Sequence, residues 1–137
     1  MHAIDSLPER KQSLWLDNIP RSLLEQGQLS VCTKDQTITG LSSNPTVFEH
    51  SIRQTSLYDE DIFAHSMAGL DSEAIFFALA QKDVCAAADL FLPVFDNTNG
   101  HDGWVSLDVS PLIANLSQAT LREATRYIRV CVAQICW

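Results

Sequence analysis

Three polar side chains close three apolar, strand-like stretches of this chain. Asp17 ends Ser13-Leu14-Trp15-Leu16-Asp17, and Asn44 follows Thr37-Ile38-Thr39-Gly40-Leu41 within Ser42-Ser43-Asn44-Pro45-Thr46. Asp108 lies in Gly103-Trp104-Val105-Ser106-Leu107-Asp108-Val109-Ser110-Pro111. A carboxylate where a parallel strand ends can give or take a proton, because barrel enzymes assemble their sites at that face. The same position suits a cap for the helix that follows, and for Asp17 spacing alone does not separate the two readings. Asn44 has the same double reading, since asparagine ahead of proline is an ordinary N-cap. No lysine follows the last of these strand ends: the lysines are Lys11, Lys34 and Lys82.

The elements that must hold these residues alternate short apolar runs with longer amphipathic ones, the pattern of βα units around a parallel sheet. The spacing predicts strands over 13–17, 37–41 and 103–111. After the first, Pro20 suits the opening turn of a helix whose apolar face is Ile19, Leu23 and Leu24 and which Gly27 ends. After the second, Asn44-Pro45 opens a helix that turns Val47, Phe48 and Ile52 inward. Residues 72–95 read as two helices divided at Gln81-Lys82-Asp83, with Asp83 capping the second and Pro93 disturbing it near its end. In the third strand Val105, Leu107 and Val109 face the helices, and Trp104, Ser106, Asp108 and Ser110 face the other way. A last helix starts near Ser117 and carries Leu121, Ala124, Tyr127 and Ile128. The apolar run from Val130 to Trp137 can form a further strand.

These motifs, with the linking segment Asp96 to Gly103, together resemble the N-terminal part of a transaldolase over residues 13–126. The resemblance implies an α/β fold that is an incomplete (β/α)8 TIM barrel of about the first three βα units, forming one partial domain over 1–137. A complete barrel takes ~250 residues. It implies that Asp17 is the general acid/base, and that Asn44, with Ser42 and Ser43, meets the carbonyl-derived end of the substrate. Ser42 stands where the family has threonine. Asp108 stands where the family has glutamate, the residue that holds a proton-relaying water, so its carboxylate is drawn back by ~1.5 Å. The implied reaction belongs to the pentose phosphate pathway. A lysine Schiff base carries a dihydroxyacetone unit from sedoheptulose 7-phosphate or fructose 6-phosphate to an aldose phosphate, with no metal and no organic cofactor. The family's lysine lies on the strand after Asp108, in a sequence unlike 130–137. The chain is therefore expected to be a fragment, inactive alone, with sugar phosphates as the substrates of the full-length parent. The alternative is a non-catalytic binding or interaction module derived from such an enzyme. Open sheet edges, and lumen-facing Trp15, Trp104 and Ser106 without partners, lead to an expectation of self-association.

A net charge of −8 opposes partners rich in phosphate, so neither nucleic acid nor an anionic membrane surface is expected. Cys32, Cys85, Cys131 and Cys136 form no Cys-x-x-Cys and read as reduced structural thiols. His2, His50, His65 and His101 make no ligand set, and the Asp- and Asn-rich run 96–103 fails calcium-loop spacing and reads as a turn. With no signal-like start and no long apolar run, a cytoplasmic location is expected.

Overall fold

The computed structural model of the chain describes residues 12–17, 19–35, 37–130 and 135–136. Four short strands, β1 (Trp15–Leu16), β2 (Gly40–Ser43), β3 (Val105–Leu107) and β4 (Ile135–Cys136), form one sheet in sequence order, every neighbouring pair parallel. Helical crossovers link them, which is what parallel pairing requires. Between β1 and β2 lie α1 (Arg21–Glu25) and α2 (Gln28–Lys34). Between β2 and β3 come α3 (Pro45–Gln54), a 3-10 turn (Ser56–Tyr58), α4 (Asp59–Met67) and α5 (Ser72–Asn97). A second 3-10 turn (Pro111–Ile113) and α6 (Ser117–Val130) precede β4.

The second strand begins later than its β-branched residues suggest, at Gly40 rather than Thr37. Gly40 lies directly opposite Trp15, and a Cβ there would come within 2.4 Å of the indole. The strand can therefore pass close beneath that ring only with glycine at this position. Gly103, at φ +86°, meets a similar limit, since a Cβ would sit 2.4 Å from the Phe95 backbone nitrogen. The turn from 98 to 103 closes by local bonds, Thr98 Oγ1 donating to the Val94 carbonyl and accepting the Asp102 N–H, in keeping with the turn expected there.

Residues 72–97 form one helix, not two. Asp83, expected to cap a second helix, is instead 2% exposed in the middle of α5 and bonded to side chains from other elements. The helix also continues past Pro93 to Asn97. Asp71 caps its start, accepting the Ala74 N–H at 2.8 Å. Leu79, Val84, Ala87, Ala88, Phe91 and Val94 form the buried stripe, and Leu41, Val105 and Leu107 meet it from the sheet. A chain of rings extends this core outward: Tyr58 against Phe48, Phe48 against Phe76, Phe76 against Phe77, and Phe77 stacked on Tyr127 at 5.8 Å. In α6, Ala124 and Tyr127 are buried, whereas Leu121 is 55% exposed. The Ile128 side chain lies outside the described residues. Among the described residues no helix is long and apolar enough to cross a membrane.

A buried polar cluster ties α1 to α5. Arg21, 6% exposed, donates from Nε to Asp83 at 2.9 Å and from Nη1 to Asp61 at 2.6 Å and to the Leu57 carbonyl at 3.0 Å. The Tyr58 hydroxyl donates to Asp83 at 2.9 Å and accepts the Arg21 N–H, while the guanidinium lies 4.2 Å from the Tyr58 ring centre. Burial pushes the Asp83 carboxyl up, against the pull of its bonds to Tyr58 and Arg21. Lys82, with Arg21 in support, holds the Asp61 carboxyl below its ordinary value. The reduced-thiol expectation fails at Cys85, which is disulfide-bonded, whereas Cys32 is free and half-buried.

Candidate functional site

The helices cover the face of the sheet that carries Leu41, Val105 and Leu107, so strand alternation sends Trp15, Asp17, Ser42, Ser106 and Asp108 to the other face. Register brings them together. Leu16 pairs with Leu41, so Asp17 is one rung on, beside Ser42, and Ser42 pairs with Ser106, two residues before Asp108. The Ser42 hydroxyl donates to Asp17 Oδ1 at 2.7 Å. Burial first, and then the charge of Asp17, push the Asp108 carboxyl above its ordinary value. Two carboxylates and two hydroxyls thus share the ends of three adjacent strands, an arrangement able to exchange protons with a bound polar molecule. Beside Asp108 the strand ends open onto a depression of about 500 Å³ that also involves Pro45, Thr46, Val109 and Thr120.

The other residues singled out by sequence take different places. Ser43, 7% exposed, points to the helical side and accepts the Asp108 N–H at 3.3 Å. Period-two alternation was the signal that could have assigned it there. Asn44 caps α3, its Oδ1 accepting the Thr46 N–H at 3.0 Å and the Val47 N–H at 3.5 Å, which realises the capping half of its double reading. Ser110, expected on the open face, is buried and donates to Glu73 of α5 at 2.5 Å, because the chain leaves the strand after Leu107 and turns at Pro111. Trp104 is engaged at the base of β3 rather than left without partners. Its ring packs edge-on against Phe95 at 5.1 Å, and its Nε1 donates to the Gly100 carbonyl at 3.0 Å. Trp15 is 38% exposed, as the open face requires. Lys34 is on α2, and Lys82, on α5, bonds Asp61 at 2.8 and 2.9 Å. Lys11 lies outside the described residues.

A model of the transaldolase/fructose-6-phosphate aldolase family matches residues 14–136, which takes in all four strands. The chain belongs to this family. Similar members are a protein named transaldolase 2 of a Nostoc species, 41% identical over 128 residues, covering 91% of this chain and 34% of that protein. Transaldolase 2 of Nostoc punctiforme is 40% identical over 118 residues, 86% of this chain and 31% of that protein. The transaldolase of Trichodesmium erythraeum is 40% identical over 116 residues, 85% of this chain and 30% of that protein. The chain spans about a third of the length of these relatives. Within the transaldolase/aldolase family match lie Asp17, Ser42, Asn44, Ser106 and Asp108, together with β4, and the sequence from Val130 to Trp137 contains no lysine.

Proposed function

We propose that this chain forms the first βα units of a (β/α)8 transaldolase barrel and contributes the proton-handling part of its site. The reaction moves a dihydroxyacetone unit from a ketose phosphate to an aldose phosphate through a Schiff base, within the pentose phosphate pathway. The observation that carries this reading is the convergence of Asp17, Ser42 and Asp108 on the uncovered face at the ends of three parallel strands. Asp17 is the acid/base for carbon–carbon cleavage, and Asp108 takes the place of the family's relay carboxylate. Asn44 can meet the substrate with the amide nitrogen while its oxygen caps α3. Neither Lys82, engaged with Asp61, nor Lys34, on α2, is the amine that forms the Schiff base.

Two measurements test it. Borohydride trapping of this chain with fructose 6-phosphate should leave its mass unchanged, and a specific lysine adduct would overturn the assignment of the amine. A chimera that joins residues 1–126 to the remaining portion of a relative should turn over sugar phosphates. In it Asp17→Asn should lower kcat by roughly 10²–10⁴-fold, the usual scale for a lost acid/base group. A folded chimera with turnover indifferent to Asp17→Asn would sink the catalytic reading.

A further inference from the structure

Asp17 stands one residue past the last paired position of β1, is exposed, and receives the Ser42 hydroxyl proton at 2.7 Å. A short carboxylate side chain at such a strand end otherwise samples its rotamers in water. The contact is built into the register, because the rung after Leu16–Leu41 sets Asp17 beside Ser42 with both side chains on the uncovered face. A serine hydroxyl has a single proton to donate. While it bonds Asp17 it can only accept from a ligand, so it cannot be the donor that holds a substrate carbonyl.

We propose that Ser42 is a positioning residue for Asp17, fixing the carboxylate over the middle of the open face on the side of Asp108, and is not a substrate-holding donor. The assignment rests on the proposed function only for its catalytic meaning. The geometry itself is testable in the chain without any turnover.

Asp108 is the reporter. Apart from its own burial, the influence on its carboxyl is the charge of Asp17 from β1. Among the described residues, those that line the depression beside Asp108 from other elements are uncharged: Pro45 and Thr46 of α3 and Thr120 of α6. Freed from Ser42, the Asp17 carboxylate swings toward solvent and its influence on Asp108 weakens. The Asp108 titration midpoint, read from its side-chain carboxyl carbon by NMR, should then fall in Ser42→Ala, because a charge that moves away into solvent raises its neighbour less. Ser42→Thr keeps the hydroxyl and should return the midpoint to that of the unmodified chain. Asp17→Asn, which removes the charge outright, should lower it at least as far as Ser42→Ala. Amide spectra unchanged away from the sheet separate these effects from unfolding. The assignment is overturned if Ser42→Ala leaves the Asp108 midpoint in place while Asp17→Asn lowers it, if Ser42→Thr behaves like Ser42→Ala, or if Asp17→Asn itself has no effect. Because no turnover is measured, an inactive chimera would overturn the proposed catalysis and leave this result standing.

Discussion

Removing Asp83 should do more damage than removing any surface charge of this protein. Its carboxylate is 2% exposed and receives two bonds of 2.9 Å, from Arg21 Nε and the Tyr58 hydroxyl. Asp83→Ala strands both donors in the core and leaves the buried guanidinium with Asp61 as its remaining carboxylate. Breaking one side of a buried ion pair costs about 3–5 kcal/mol. The surviving Asp61 bond, whose carboxylate is 24% exposed, places this case near the lower end, at about 3 kcal/mol. The Arg53–Glu49 pair supplies the contrast: with side chains 75% and 52% exposed, its loss through Arg53→Ala should cost no more than ~0.5 kcal/mol. With urea m-values of about 1–3 kcal/mol/M, Asp83→Ala should lower the unfolding midpoint by roughly 1–3 M and Arg53→Ala by no more than about 0.5 M. Circular dichroism along a urea series reads both. Replacing the pair together, as Arg21→Met with Asp83→Leu, should recover part of the loss, because no uncompensated charge remains buried. If the midpoint of Asp83→Ala coincides with that of Arg53→Ala, the cluster does not clamp α1 to α5 and the reasoning fails.

Asp61 should make the protein acid-sensitive: its carboxyl is held below its unfolded value, so the stability it adds is full above about pH 4 and disappears as pH falls through the folded value. Asp61→Asn should flatten that limb of a stability–pH curve, and an unchanged curve refutes the assignment. Gly103→Ala should destabilise by about 2–4 kcal/mol, adding the strain of a positive φ to contact with the Phe95 backbone, and a thermal melt unaffected by the change would show that the turn can move aside. In the chimera described above, Asp108→Glu should raise turnover by restoring carboxylate reach, and equal or lower turnover would show a site adapted to aspartate. The outer strands β1 and β4 each pair on one side only within the described sheet, so the chain should self-associate with rising concentration. Sedimentation as a monomer at all concentrations contradicts this.

Alternation in β3 was readable because hydrophobic burial and strand geometry share a period of two, and Val105 and Leu107 fall on the helical side as that period requires. Asn44-Pro45 was readable because a cap and its proline act locally. Asp83 was misread for the opposite reason: an aspartate amid polar residues looks like a helix boundary, and only the fold brings Arg21 and Tyr58 to it from elsewhere in the chain. The helices α2 and α4 gave little signal. α4 has no buried residue and presents Phe63 and Met67, 69% and 73% exposed, to the outside. Among the candidate site residues, Asp17 and Asp108 were singled out by position at their strand ends, and the structure places both there. The bonds that organise them, Ser42 to Asp17 and Asp108 N–H to Ser43, depend on cross-strand register, which sequence alone does not print.

The strand order equals the chain order, so a polypeptide emerging from a ribosome can lay each strand beside the one before it. The Arg21 clamp does not follow that schedule. Tyr58 lies 37 residues beyond Arg21, Asp61 40 and Asp83 62. At roughly 5–20 residues per second, synthesis of that last interval takes about 3–12 s. Throughout it the Arg21 guanidinium lacks its most deeply buried acidic partner and remains hydrated. Docking of α1 thus waits on the arrival of α5, and a pause in translation between codons 58 and 83 would prolong a nascent state in which β1 and β2 are present and the clamp between α1 and α5 is still open.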